Sequence, residues 1–143
     1  MPEPAAPPFR FQLRVYWEDT DAGGVVFYAN YLKYFERART EWLRSLGHSQ
    51  ERLRIDTGAV FIVTDTAVRY RRPARLDDLL VVTVLVEHAG RAQMTIAQQA
   101  WRLSPEGDEL LAEGTIRIGC VDATTFRPQR IPASIASSLT TTL

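Results

Sequence analysis

The chain of 143 residues, 45% hydrophobic and 24% charged, is sized for one globular domain with a core of its own. Seventeen basic residues balance seventeen acidic ones, so no net field recruits nucleic acid or an anionic membrane. The one cysteine, Cys120, excludes an internal disulfide framework and a cysteine-based metal site.

The lead MPEPAAPPFR is Pro-rich, carries an early Glu and has no apolar core of a secretion signal. No apolar run approaches the roughly 20 residues that span a bilayer. The expectation is a cytoplasmic protein without stable membrane insertion: a disordered lead over 1–9, one domain over 10–132 and a tail over 133–143. Phe11, Leu13, Val15 and Trp17 alternate with Gln12, Arg14 and Tyr16, the period of a half-buried strand. An acidic, Gly-rich turn follows, and then Tyr31, Tyr34, Phe35, Ala38, Trp42 and Leu46 recur at spacings of three and four. They fill one stripe of a helix, with Lys33, Glu36, Arg37, Glu41 and Arg44 opposite, capped by Asn30 at its start and closed by Gly47 at its end.

Four segments rich in β-branched and aromatic residues come next: AVFIVTDTAVRYRRP, LLVVTVLVEH, RAQMTIAQQAWRL and ELLAEGTIRIGCV. Turns around Gly90 and Gly107 predict hairpins, so the strands are largely antiparallel. Gly114 inside the last strand marks a bulge or a close backbone approach, and Cys120 reads as a buried strand thiol. After Pro132 the chain either makes one helical turn or stays loose. Strand, long helix and four strands give an α+β fold with the helix on one face of a curled sheet. LLVVTVLV is apolar on both faces, more than one helix buries, which predicts a homodimer in which two sheets join edge to edge.

The chemistry concentrates where the turn meets the helix. A carboxylate beside the N–H-bearing end of a helix can act on a carbonyl held by that end. Asp21, next to Ala22-Gly23-Gly24, suits the role best; Glu18 and Asp19 compete for it but read as solvated or capping residues. Only His48 and His88 are present and they lie far apart, which disfavours a His metal site. There is no G-x-S-x-G elbow and no P-loop, so serine hydrolases and NTPases are disfavoured.

The segment VYWEDTDAGGVVFYANYLKYFERARTEWL, with Y-R-R-P-A-R-L-D-D at 70–78, resembles the hot-dog-fold acyl-CoA thioesterases. Within them it is similar to the 4-hydroxybenzoyl-CoA thioesterase family and its YbgC-like branch associated with the Tol-Pal envelope system, over roughly residues 10–132. The resemblance implies a long central helix wrapped by an antiparallel sheet of about five strands, dimers that pair into a homotetramer, and active sites at the dimer interface. It implies an acyl-CoA substrate, hydrolysis to free acid and CoA, and no cofactor or metal. Asp21 falls on the family's catalytic carboxylate, as nucleophile or as general base on a water. The Tyr28 backbone N–H falls on the donor that holds the thioester carbonyl, with Trp17, Gly24, Val25, Val26 and Phe27 around the substrate. Arg91, Arg71 and Arg72 are the candidates for the CoA phosphates. The Tol-Pal branch often carries Tyr where this chain has Trp17 and His where it has Tyr28; Tyr28 agrees instead with the hydroxybenzoyl branch. Two rivals differ in class. A hot-dog hydratase needs a histidine near its acid, absent from the five residues after Asp21. A non-enzymatic adaptor for an acyl thioester or acyl carrier protein gains nothing from that carboxylate.

Overall fold

The computed structural model describes residues 7–142. Five strands, β1 (Phe9–Arg14), β2 (Ala59–Tyr70), β3 (Leu79–Ala89), β4 (Gln93–Arg102) and β5 (Glu109–Asp122), form one antiparallel sheet in the order β1-β3-β4-β5-β2. Three helices accompany it: α1 (Asn30–Ser45), α2 (Gln50–Thr57) and α3 (Ala133–Thr142). The sheet is open, so β1 and β2 are its edges. Register shifts between Val63 and Asp65, between Val86 and His88 and between Ala100 and Trp101 bend the strands and curl the sheet around the helix.

The apolar stripe of α1 decides where that helix lies. Tyr31, Tyr34, Phe35, Ala38 and Trp42 are buried together with Leu80, Val82, Ile96, Ala100 and Ile116 from the sheet. Gly114 is the point of closest approach: a Cβ there would meet the Phe35 ring at 3.0 Å and the Ala67 carbonyl at 3.4 Å. It keeps its register with Val68 and Gln98, so it is a contact and not a bulge. The helix closes as expected around Gly47, whose N–H donates to Arg44 O while that of His48 donates to Leu43 O. Cys120 is buried, and desolvation pushes its thiol pKa up. No helix among the described residues is long and apolar enough to cross a membrane.

Four expectations are corrected. Strand β1 stops at Arg14, and Trp17 opens a 3-10 turn, Trp17–Asp19, with its side chain 81% exposed. Asn30 does not cap α1: it is the helix's first residue, the cap position belongs to Ala29, and the Asn30 amide turns inward. The helix α2 had not been expected; Ser49 caps it by accepting the Arg52 N–H at 3.2 Å, and Leu53 is its buried residue. The closing segment is neither loose nor one turn. It forms the ten-residue α3, with Ile135 and Leu139 buried in the core and the helix packed against β3. Part of the apolar excess of β3 is therefore covered by the chain itself. The lead expected over 1–9 lies mostly outside the described residues, and Phe9 already belongs to β1.

Candidate active site

Between β1 and α1 the chain makes a tight hairpin. Thr20 and Val26 form an antiparallel bridge, and within it the Asp21 N–H donates to Val25 O at 2.9 Å and the Gly24 N–H to Asp21 O at 3.0 Å. A β-turn closed by a left-handed residue is the three-residue hairpin loop with a G1 bulge, and Gly24 at φ +79° supplies that residue without steric cost. Asp21 Oδ1 accepts the Gly23 N–H at 2.8 Å, which fixes the carboxylate over its own turn while the residue stays exposed. Val25 bridges Arg75 and the Val26 N–H donates to Ala74 O, so the hairpin is tied to the loop before β3.

Beneath the hairpin lies a second carboxylate. Asp19 is only 6% exposed; its Oδ2 accepts the Tyr16 N–H at 2.8 Å, and its Oδ1 accepts Asn30 Nδ2 at 3.0 Å. Its backbone carbonyl accepts the Phe27 N–H at 2.9 Å. Asp19 thus joins the turn before the hairpin to the first residue of α1. Of the two readings of Asp19, solvated or capping, the capping one holds: its carboxylate caps the 3-10 turn through the Tyr16 N–H, and it is the buried acid of the pair, with Asp21 the exposed one. The Tyr34 hydroxyl is buried beside Asp19 and Asn30 without meeting a hydrogen-bond partner in good geometry among the described residues, and desolvation, then the Asp19 charge, push its pKa up.

A run of aromatic rings continues from there. Tyr31 stands edge-on to Tyr34 and to Tyr70, and Tyr70 edge-on to Tyr28. The Tyr31 hydroxyl accepts the Ala74 N–H at 3.1 Å, and burial pushes its pKa up. The Tyr70 hydroxyl donates to Tyr28 O at 2.9 Å, which holds the backbone at the helix start. Among the described residues no acceptor stands in hydrogen-bonding geometry with the Tyr28 N–H. The arrangement can present an amide hydrogen, at the positive end of α1, to a carbonyl oxygen from outside.

The chain brings Asp21, Gly24, Val25, Val26, Phe27 and Tyr28 into this one hairpin and helix start; Val26 is buried, while Phe27 and Tyr28 are exposed. Trp17 sits beside it on the surface, flanking a shallow cleft with Tyr16, Glu18, Leu76 and Asp77. The arginines are dispersed. Arg71 pairs with Glu113 at 2.6 Å and Arg72 with Glu109 at 3.4 Å, next to the site. Arg91 lies in the β3–β4 turn at the other end of the sheet: Gln93 faces Gly119 on β5, whereas Tyr70 faces Ala112. That separation is about 23 Å along β5. Sequence reasoning missed Asn30, Tyr31 and Tyr70 as site residues. Tyr31 belonged to the apolar stripe and Tyr70 to a strand end, and nothing local marks their hydroxyls as anchors. No cluster of three or more His, Cys, Asp or Glu able to hold a metal occurs among the described residues.

Comparison with known proteins places the geometry in a family. The model of the thioesterase-like superfamily matches residues 15–139. This chain belongs to that superfamily. The acyl-CoA thioesterase YbgC of Haemophilus influenzae is 39% identical over 130 residues, covering 91% of this chain and 93% of the relative. Among solved structures, a 1,4-dihydroxy-2-naphthoyl-CoA thioesterase from Synechocystis superposes with a TM-score of 0.84 at 20% identity, covering 94% of this chain and 96% of that one. An aspartate-to-asparagine mutant of 4-hydroxybenzoyl-CoA thioesterase, complexed with 4-hydroxybenzoyl-CoA, superposes at 0.85 with 18% identity, covering 92% and 98%. Together these bear out the hot-dog fold, the YbgC-like resemblance and the reading of this superfamily member as an acyl-CoA thioester hydrolase rather than an adaptor.

Proposed function

We propose that the chain hydrolyses a small acyl-CoA to the free acid and CoA, with Asp21 as the reacting carboxylate and the Tyr28 backbone N–H polarising the thioester carbonyl. The observation that carries this is the pairing of an exposed carboxylate, fixed by its own turn, with an amide hydrogen that has no partner among the described residues at the start of α1. Both routes open to Asp21 leave the same groups in place. Direct attack on the carbonyl carbon gives a mixed anhydride and expels the CoA thiolate, and water then cleaves the anhydride; alternatively Asp21 takes a proton from the attacking water. In either case the amide meets the oxygen where negative charge develops, a contribution of roughly 10² to 10³ in rate for one such donor.

Asp21 faces outward in the single chain, so exclusion of water requires a second copy. Strand β2 offers a free edge, and Tyr16, Trp17, Phe27, Tyr28, Tyr70 and Leu76 expose apolar surface around the hairpin. We read this surface as the seam of a homodimer, with the acyl group held between subunits. Arg91, in no ion pair among the described residues, is the leading candidate for a CoA phosphate, reached from a neighbouring subunit; Arg71 and Arg72 already share their charge with Glu113 and Glu109.

The deciding experiment is free-thiol release from a panel of short aliphatic and aromatic acyl-CoAs, by the native protein and by Asp21→Asn. Asp21→Asn is expected to lower kcat by about 10³ or more while the circular dichroism spectrum and oligomer size stay unchanged. Retention of most turnover would move the chemistry elsewhere in the molecule.

A further inference from the structure

A cavity of about 140 Å³ lies between the C-terminal half of α1 and the sheet, with Trp42, Phe61, Met94, Ile96 and Ile118 among its apolar walls. Three polar side chains interrupt them: Arg39, the Glu36 carboxylate and the Gln50 amide. Arg39, on α1, is half-buried, and its Nη1 donates to Gln98 Oε1 at 2.9 Å. No carboxylate lies within ion-pair distance of it among the described residues. Glu36, one turn earlier, lines the mouth of the same slot; its exposed carboxylate accepts from the Thr40 hydroxyl at 3.0 Å and acts on Arg39 by charge without forming an ion pair. Gln98 cannot swing away to release the arginine: it is buried, and its Nε2 donates to Phe35 O and Thr83 O. The result is a guanidinium held in place at an apolar slot with most of its five donors uncommitted.

The slot lies about three turns down α1 from Tyr28, about 16 Å along the axis, too far for a small acyl group bound within one chain. Two-fold pairing of β2 edges changes that. The exposed run of β2 extends over Ile62–Tyr70, broken only by Val68, and its midpoint is Thr66. Antiparallel pairing about that midpoint sets Tyr70 of one copy against Ile62 of the other. Tyr70 holds Tyr28 O, and Ile62 lines the slot. The helix start of one subunit then stands over the slot of its neighbour.

We propose that this slot receives the far end of the acyl group, and that Arg39 selects acyl groups carrying an anionic oxygen at the end remote from the thioester. The proposal rests on the thioesterase reading above and names its substrate class. A cavity of this size accepts a ligand of about benzene's bulk, enough for a short chain ending in a carboxylate. An aliphatic acyl group offers no acceptor to the donors that Gln98 leaves free; a terminal carboxylate meets them with charge-assisted hydrogen bonds.

The test compares glutaryl-CoA with hexanoyl-CoA, which are similar in length and differ in the terminal group. Native protein is expected to favour glutaryl-CoA in kcat/KM by about tenfold or more, through KM, and Arg39→Met to abolish or reverse the preference. The ratio is read on two substrates in one preparation, so a partly folded variant still reports it. Arg39→Lys keeps the charge and provides a second reading, with an intermediate ratio expected. A native ratio near one, or an Arg39→Met protein with the native ratio, would overturn the assignment while leaving the thioesterase reading intact. Failure of the native protein to cleave any acyl-CoA would overturn both.

Discussion

One residue, Thr20, separates Asp19 from Asp21, yet the 3-10 turn between Tyr16 and Thr20 sends one carboxylate into the core and leaves the other at the surface. The division follows from the donors available to each. Asp19 finds two, the Tyr16 N–H and the Asn30 amide, and these offset its desolvation. Asp21 finds the Gly23 N–H and leaves the rest of its lone pairs exposed, where the proposed mechanism uses them. Asp19→Asn preserves shape but points an NH₂ group at one of two donors, leaving a buried N–H without an acceptor. The expected loss is about 1–3 kcal/mol, read as a lower urea midpoint at unchanged m-value. The variant is also expected to lose turnover under conditions where it is fully folded, because Asp19 sets where α1 begins relative to the hairpin. Native turnover in folded protein would restrict Asp19 to a stability role.

At the scale of elements, the long periodic segments were legible and the short ones were not. Helix α1 and strands β2 to β5 each repeat their period often enough for burial to dictate type, and Gly90 and Gly107 marked both hairpins. Helix α2 has one buried residue, Leu53, and is held by its Ser49 cap and exposed pairs such as Arg52 with Asp56, none of which leaves a periodic trace. The alternation through Val15 ran on to Trp17 by arithmetic alone; what ends the strand is capture of the Tyr16 N–H by Asp19, a contact made from the far side of the turn. The acid, the glycines and the helix start were readable as a motif, whereas the tyrosine anchors from Ala74 and Tyr70 are contacts between distant segments. Helix α3 gave the weakest signal of all, two apolar residues four apart, Ile135 and Leu139, in a polar stretch. Both are buried, so α3 belongs to the core and not to a tail. Ile135→Ala is expected to cost about 2–4 kcal/mol in a denaturant titration. A change under about 0.5 kcal/mol would mean that the core closes without α3.

For the whole molecule, the edge of the sheet decides whether one chain suffices. Strand β2 is twelve residues long, and one side of it is unpaired over a run that includes Ile62, Val63 and Tyr70. A long, partly apolar edge of that kind invites pairing with a copy of itself. Like charges placed on both sides of a two-fold axis oppose that pairing while leaving each subunit's own core untouched. Thr66 is exposed and stands at the midpoint of the run, so Thr66→Glu puts two carboxylates face to face in the dimer and one in solvent in the monomer. Sedimentation velocity is expected to show a monomer with the native circular dichroism spectrum, and thioester hydrolysis to fall by about a hundredfold or more, since an outward-facing Asp21 no longer has a second chain to close over it. A Thr66→Glu monomer that turns over substrate at the native rate would show that one chain holds the complete site and would remove the shared slot as well.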